Sequence, residues 1–584
     1  MTHDDARRHF DRATALLHDG DAAGAAAAYA EASRLRPGWL APVANRGMAL
    51  ERVGRYAEAE LVLREALRLQ PDCEPVLTVL TGVLCALGRP GEAVTLGARA
   101  VALAPEQPAA WINQGHALQA SGEPVGAEAA CRRALALDPG SGLAAYNLGH
   151  ALAGQWRSAE ALDCFRAAVE RDPGYAPARH TLLMSLLYAP GETEESLYRA
   201  HRSWGDEVTA RLPARLPPAS PPAGDRPLRV GYLSPDFRAH SCAHFLQPLF
   251  AAHDRSAIEV FAYSAVARPD PVTAWFRASA AHWREVAGRP AADIAAQVRA
   301  DRIDVLVDLG GHTRGHPLAT FAWQPARAQV AWLGYPGTTG LAAIGHRVTD
   351  EVADPPGAAD RWHTERLLRL PGGFLCYGPQ ADAPPVASPP VARTGCITFG
   401  SFNNLAKLTP EAVRSYAAIL AAVPRSRLLL KAQALASDSA RLRVAAAFGA
   451  AGISPDRLAL QGWIPGGSQP LAAYGNVDIA LDTFPYNGTT TTFEALWMGV
   501  PVVCLRGARH AARVGASILT ALGRPGWIAG DEAGFVATAV ALAADPAGLG
   551  ACRRTLRDEL AASGLCAATA FARRLEAAWR EIAR

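Results

Sequence analysis

Lysine is almost missing from this chain: of 58 basic residues among 584, only Lys407 and Lys431 are lysines, and the other 56 are arginines. A coding preference that also enriches Ala, Gly and Pro explains the shortage, so the two exceptions are what need a reason. An excess of either charge is missing as well. The 58 basic and 55 acidic side chains leave a formal charge of +3, which gives no electrostatic case for nucleic acid or an anionic membrane as partner. No apolar run approaches the roughly 20 residues of a bilayer span, so no membrane span is expected. The ten cysteines include no CxxC pair and no dense disulfide spacing, which fits a reducing cytoplasm. The start, Met1-Thr-His-Asp-Asp, carries neither a secretory nor a transit signal, so the expected location is cytoplasmic. There is no P-loop and no dinucleotide fingerprint, so kinase, ATPase and dehydrogenase readings lose most of their support, and no HExxH is present.

What is present is ample. Half the residues are apolar and 19% are charged, the composition of a globular chain, and its length suggests about four domains. Proline recurs at Pro37, Pro71, Pro105, Pro139 and Pro173, each step 34 residues, and glycine keeps the same step at Gly20, Gly54, Gly88 and Gly122. Between these marks the chain is Ala- and Leu-rich with helical periodicity, so each unit reads as helix, glycine turn, helix and a proline-started connection. The pattern resembles the tetratricopeptide repeat over residues 4–190, an α-solenoid whose concave wall usually binds polypeptide. Asn45, Asn113 and Asn147 form a second ladder in this phase, with Val79 at the missing rung. Their amides suit an extended peptide backbone, and equally suit backbone groups between helices.

The pattern ends in residues 191–227, read as a helix near Glu194–Leu212 and a Pro-rich linker, Leu212-Pro-Ala-Arg-Leu-Pro-Pro-Ala-Ser-Pro-Pro. Beyond it, short β-branched runs alternate with helical segments in two sets, at 228–390 and 391–545, before C-terminal helices at 546–584. Runs beginning at Leu228, Ile258, Ile303 and Ala328, then at Ile397, Arg427, Leu458, Val477 and Val502, predict two doubly wound parallel sheets. Ligands of such sheets bind outside the carboxyl ends of the strands.

The loops at those ends carry the candidate chemistry. In Asp482-Thr-Phe-Pro-Tyr-Asn487-Gly488-Thr489-Thr490-Thr491-Thr492-Phe-Glu494 a strand ends, the chain turns and a helix begins among the threonines, to be terminated by Gly499. Free N–H groups and the positive helix end suit a diphosphate, although a Thr N-cap on an ordinary βαβ unit has the same look. Glu494 is placed to accept hydrogen bonds from ribose hydroxyls. Lys407 follows another strand, in Phe399-Gly-Ser-Phe-Asn-Asn404-Leu-Ala-Lys, where a compact ammonium can approach phosphate oxygens, and Lys431 ends the next strand. In the first set, His240 follows the first strand, and Asp308-Leu-Gly-Gly-His312-Thr-Arg-Gly-His316 follows a later one. Histidines there are candidate general bases. The i,i+4 pairs His240/His244 and His312/His316 raise a metal site, against which Gly310, Gly311 and Gly315 argue for loop over helix.

Taken in order, Gly231-Tyr-Leu-Ser-Pro-Asp-Phe, Gly311-His-Thr, Trp332-Leu-Gly-Tyr-Pro-Gly-Thr-Thr-Gly, Phe399-Gly-Ser-Phe-Asn-Asn-Leu-Ala-Lys and Asp482-Thr-Phe-Pro-Tyr-Asn-Gly-Thr-Thr-Thr-Thr resemble the O-GlcNAc transferase family and its SPINDLY relatives over nearly the whole chain. The resemblance implies a GT-B fold of two Rossmann-like domains and metal-independent, inverting transfer from a nucleotide sugar to Ser or Thr of a protein, with no cofactor. It implies that Lys407 and Gly488–Thr491 hold the donor diphosphate and that Glu494 binds ribose, and Asn404 and Asn487 are further donor-binding candidates. Gly334 lies near the sugar, and His240 is the general base, with His312 and Asp308 as further candidates. Lys431 is a further donor-site candidate. Asn45, Asn113 and Asn147 are the peptide-binding candidates. UDP-GlcNAc is the expected donor. GDP-fucose is the alternative, because the Asn-Asn-Leu-Ala-Lys and Thr-Thr-Thr-Thr wording is closer to SPINDLY and Thr489 stands where animal O-GlcNAc transferases have histidine. A repeat scaffold with an inactive transferase domain is the alternative from another class. One departure touches the base: Pro470, in Gly467-Ser-Gln-Pro-Leu-Ala-Ala-Tyr, stands where the family usually has histidine.

Overall fold

The computed structural model describes residues 3–213, 226–462 and 470–584. The Pro-rich stretch of the linker and the segment just before Pro470 lie outside the described residues, as does the Pro470 side chain. The chain divides into two compact units, Met1–Ala178 and Arg179–Arg584.

Ten helices are present among the described residues of the first unit, from His3–His18 to Ser158–Arg171. Each proline of the 34-residue ladder lies in a turn between helices. Gly20, Gly54, Gly88 and Gly122 all take φ between +77° and +86°, the left-handed region that ends a helix without steric cost only for glycine. Trp156, one step after Gly122, holds φ at 59° without that excuse. The alanine richness has a structural use. Ala25, Ala59, Ala93, Ala127 and Ala161 share the repeat phase and are buried, as are Ala32, Ala66, Ala100, Ala134 and Ala168. Small side chains at these rungs let successive helices approach closely, and a Cβ on Gly115 or Gly149 would strike Cys131 or Phe165 of the next helix.

The second unit opens with helices Ala176–Leu186, whose first residues belong to the preceding unit, and Glu194–Ala210, the latter begun by a Thr193/Ser196 capping box. Two parallel sheets follow. The first contains β1 (Leu228–Ser234), β2 (Ile258–Ser264), β3 (His282–Glu285), β4 (Val305–Asp308), β5 (Ala328–Ala331), β6 (His346–Thr349) and β7 (Arg366–Arg369), in the order β3-β2-β1-β4-β5-β6-β7. The second contains β8 (Ile397–Ser401), β9 (Ser426–Ala432), β10 (Leu458–Gly462), β11 (Ile479–Leu481), β12 (Val502–Leu505) and β13 (Ile528–Ala529), in the order β10-β9-β8-β11-β12-β13. All nine runs read as strands are strands. β3, β6, β7 and β13 were not anticipated: they are short, and three of them carry Arg or His in place of a continuous apolar run.

The C-terminal helix Ala568–Ala583 returns to the first sheet. There a fully buried pair, His253 Nδ1 and Glu576 Oε1 at 3.0 Å, is continued by the Tyr232 hydroxyl at 2.9 Å from His253 Nε2. Across the two sheets, His510 Nδ1 lies 2.7 Å from Asp354 Oδ2, and Ser517 donates to Asp350 at 2.5 Å. Their strand ends are thereby held toward one another.

Candidate functional site

Asp482, one residue past β11, organises the loop on which the threonines ride. Its Oδ1 accepts the N–H groups of Gly488 at 2.6 Å and Thr483 at 2.8 Å, and Nδ2 of Asn403 at 3.3 Å. Asn487 is locked by its own amide, which donates to Thr483 O at 2.9 Å and accepts from Gly515 N at 3.3 Å. The helix Thr490–Trp497 then starts with no side-chain cap: Thr489 makes no capping hydrogen bond. The local alternative raised by the sequence, a threonine satisfying its own helix, is absent here. Thr491 turns its hydroxyl to Asn403 Oδ1 at 2.8 Å. Gly488 is required by contact: a Cβ there would lie 2.4 Å from Thr491 Oγ1.

Lys407 belongs to the short turn Leu405–Lys407 after β8, begun by Asn404, whose side chain accepts from Ala406 N. Its Nζ donates to Asn487 O at 2.8 Å and sits 3.9 Å from the centre of the Tyr486 ring, so the ammonium is beside the helix start. Burial pushes its pKa down, with Asp482 opposing. Burial likewise pushes the Asp482 carboxyl up, against the Gly488 N–H and the lysine. Two opposite charges have thus been desolvated together beside a helix N-terminus, a place that gains from an incoming anion.

Glu494, in the same helix, has its pKa raised to about 7 by burial, opposed by Tyr474 and Lys431. Tyr474 donates to Glu494 Oε2 at 3.4 Å and to Thr491 O at 3.0 Å. Lys431 faces this carboxylate, packs 5.5 Å from the Phe402 ring centre, and lines a small pocket with Ser401, Asn403, Asn404 and Thr483. Lys407, Lys431, Asn404, Asn487, Gly488–Thr491 and Glu494 therefore gather at one end of the second sheet.

The helix that follows the loop after β1 packs against the donor-site helix. Phe245, in the helix Ala243–Ala252, meets Phe493 at 5.5 Å between ring centres, and Tyr377 stacks on Phe493 at 4.9 Å. His240 is part-buried in that loop. Its Nδ1 lies 3.5 Å from Asp236 Oδ1 and accepts from Cys242 N at 3.3 Å. Burial lowers its pKa, and Asp236 partly restores it.

His312 is placed differently. It is buried, with Nε2 donating to Thr339 O at 2.8 Å and Nδ1 2.9 Å from His180 Nδ1, among the rings of Trp204, His201 and Tyr335. Both ring nitrogens are engaged, and burial holds the imidazole neutral. Asp308 accepts from Gly310 N at 2.9 Å and Gly311 N at 2.8 Å, and lies 2.7 Å from His316 Nε2. Burial favours its protonated form, but His316 and these N–H groups outweigh that and hold its pKa low. Gly334 is pressed against the Leu309 carbonyl, so that no Cβ fits. In the repeats, Asn113 donates to Thr78 O at 2.7 Å, Asn147 to Ile112 O at 3.4 Å and Asn45 to the Tyr29 hydroxyl at 3.4 Å. Each amide gives one donor to a neighbouring helix. Asp482, Asn403, Tyr474 and Tyr486 were not singled out from the sequence, although Asp482 and Tyr486 stand inside the threonine motif itself.

The profile of glycosyl transferase family 41 matches residues 208–380 and 392–575, and that of the tetratricopeptide repeat matches 44–108, 83–142 and 112–176. A tomato (Solanum lycopersicum) protein named as a probable UDP-N-acetylglucosamine–peptide N-acetylglucosaminyltransferase SPINDLY is 40% identical over 404 residues, 68% of this chain and 43% of that protein. Its Arabidopsis thaliana relative SEC, named for the same probable activity, is 34% identical over 311 residues, 51% of this chain and 31% of its own length. The matched part thus spans less than half of these curated relatives. Among solved structures, a mutant O-GlcNAc transferase of Thermobaculum terrenum superposes with a TM-score of 0.82 at 34% identity, over 88% of this chain and 97% of the other.

Proposed function

Because the chain belongs to glycosyl transferase family 41, we propose that it transfers a sugar from a nucleotide-sugar donor to serine or threonine hydroxyls of protein acceptors. The observation that carries this reading is the pairing of Lys407 with an uncapped helix start. One desolvated ammonium and a set of N–H groups aim at the place where a diphosphate would sit.

In the reaction, the acceptor oxygen forms a bond to the anomeric carbon while the bond from that carbon to the donor phosphate breaks. The electron pair leaves with the nucleoside diphosphate. Charge growing on that leaving group meets Lys407 and the helix end, positive charge already in place, which is the electrostatic work a metal performs in other transferases. The acceptor's proton goes to His240. Base function requires Nδ1–H to turn to Asp236, giving up the long 3.3 Å contact in which Nδ1 accepts the Cys242 N–H, so that Nε2 is free to accept; the aspartate then stabilises the imidazolium that results. His240 is preferred over His312 and Asp308 because it alone of the three is part-exposed, whereas the other two have their polar atoms committed within the protein. Ionised Glu494 receives the ribose hydroxyls, with Tyr474 and Lys431 holding its charge.

UDP-GlcNAc is the proposed donor, in keeping with the activities named for the relatives. The repeats would present the acceptor polypeptide, with Asn45, Asn113 and Asn147 offering their remaining amide valences. The test is a thermal-stabilisation screen with UDP-, GDP- and CMP-sugars in the presence of a chelator, followed by an assay of donor hydrolysis and transfer. Stabilisation by a UDP-sugar and turnover without metal are expected. Failure of every nucleotide sugar to bind would replace the enzyme with a repeat scaffold.

A further inference from the structure

The loop that carries His240 holds a thiol, Cys242, that the transfer reaction does not use, beside the histidine and aspartate that it does. Asp236, His240 and Cys242 offer one carboxylate, one imidazole and one thiol whose ligand atoms all lie within 4.8 Å of one another. Asp236 is 5% exposed and Cys242 8% exposed, while His240 stands at the rim and leaves the cluster open on one side. Among the described residues the near cations of Asp236 are Arg238 Nη2 at 3.7 Å and His240 Nδ1 at 3.5 Å, both beyond a good hydrogen bond. A buried carboxylate with no closer cation is one that a metal ion would stabilise.

The chemistry of the set selects the cation. Thiolate and imidazole are poor ligands for magnesium and calcium, which take oxygen, and good ones for zinc. Three protein ligands with one position open is the arrangement of a zinc site that keeps room for a water or a substrate atom. We propose that Asp236, His240 and Cys242 form an inhibitory zinc site at the mouth of the transfer site. Zn²⁺ binds through Asp236 Oδ1, His240 Nδ1 and Cys242 Sγ, and the thiol releases its proton to solvent on binding. The backbone N–H of Cys242 gives up its contact with Nδ1 as the metal takes that lone pair.

The consequence for the reaction rests on the reading of His240 as base. With Nδ1 on zinc, Nε2 must carry the ring proton, so the imidazole can no longer take one from an acceptor hydroxyl. Zinc would therefore stop transfer without displacing the nucleotide sugar, a pattern opposite to that of a metal that serves the leaving group.

Cobalt(II) is the probe, since a cobalt–thiolate bond gives a near-ultraviolet charge-transfer band. Titration of the full chain is expected to show one strong site with this band, competed by zinc. Cys242→Ser abolishes the band, and Asp236→Asn, of nearly the same shape, weakens cobalt binding by at least about tenfold. Circular dichroism establishes that both variants are folded. Absence of the band in the unmodified protein, or its persistence in Cys242→Ser, overturns the site. A cobalt-loaded protein that transfers sugar at full rate would leave the site standing and overturn the assignment of His240 as base.

Discussion

Replacing Gly488 by alanine tests whether the loop before the threonine helix is shaped for a ligand. The new Cβ would lie 2.4 Å from Thr491 Oγ1 and 2.9 Å from both Asn403 Oδ1 and Thr492 Oγ1, so three polar atoms must move at once. Thr491 must turn away from Asn403, ending a 2.8 Å hydrogen bond worth about 1 kcal/mol. Relieving the remaining overlap costs about 1–3 kcal/mol, as for other overpacked sites. The loop would then sit about 2–4 kcal/mol above its present geometry, and if the donor needs that geometry its affinity falls by about 30- to 700-fold. Isothermal titration with UDP measures this, with thermal melting run in parallel to separate loss of affinity from loss of fold. Gly526, whose Cβ would meet nothing within 4 Å, serves as the control and is expected to be neutral. Nucleotide affinity within about twofold of the original in a folded Gly488→Ala protein would refute the cradle.

The other predictions concern charge and anchoring. Lys407→Arg keeps the charge but brings a planar fork to a site bounded by the Tyr486 face at 3.9 Å and the Asn487 carbonyl, so turnover is expected to drop by about tenfold to a hundredfold in steady-state assays. Glu494, whose pKa is raised to about 7 by burial, favours the unliganded fold in its protonated form, so that contribution fades as pH rises from its ordinary 4.5 toward 7. Donor affinity has the opposite sign on this limb, growing as Glu494 ionises, and it falls again through the same region because burial lowers the Lys407 ammonium to about 7, so the optimum is narrow and centred near pH 7. A bell-shaped profile of kcat/KM results, and Glu494→Gln is expected to erase its acid limb. At the other end of the unit, Glu576→Ala leaves the buried His253 ring without its hydrogen-bond partner, which lowers stability by about 1–3 kcal/mol in urea denaturation.

Much of the architecture was legible because it is periodic. The proline and glycine ladders are visible in the sequence since each marks a backbone geometry, a turn or a positive φ, that recurs at every repeat. Trp156 escaped notice because it takes the glycine conformation without being glycine. Buried central strands announced themselves by β-branched and aliphatic runs, while His282–Glu285 and Arg366–Arg369 did not, because strands on a sheet edge can carry charge on an exposed face. The donor loop could be found by its turn residues and threonines. What could not be read was that Thr489 leaves its helix uncapped, or that Asn403 and Asp482 build the loop, because these depend on contacts 79 and 88 residues apart. The histidines show the same limit. His240 and His312 look alike as residues after strands, and only burial separates a ring with both nitrogens bonded from one that stands at the rim.

On the proposed reading, Lys407 and the bare helix start bind a nucleoside diphosphate without a metal. Titration of UDP into the protein in excess EDTA tests it directly, compared with Lys407→Ala under the same conditions. An ammonium at about 4 Å from a phosphate charge in a partly buried site contributes about 4 kcal/mol before the loss of its hydration, so the variant should bind about a hundredfold or more weakly. Tight chelator-resistant binding that disappears with Lys407 is the predicted result. Binding that needs added magnesium, or that survives unchanged in Lys407→Ala, would contradict the account.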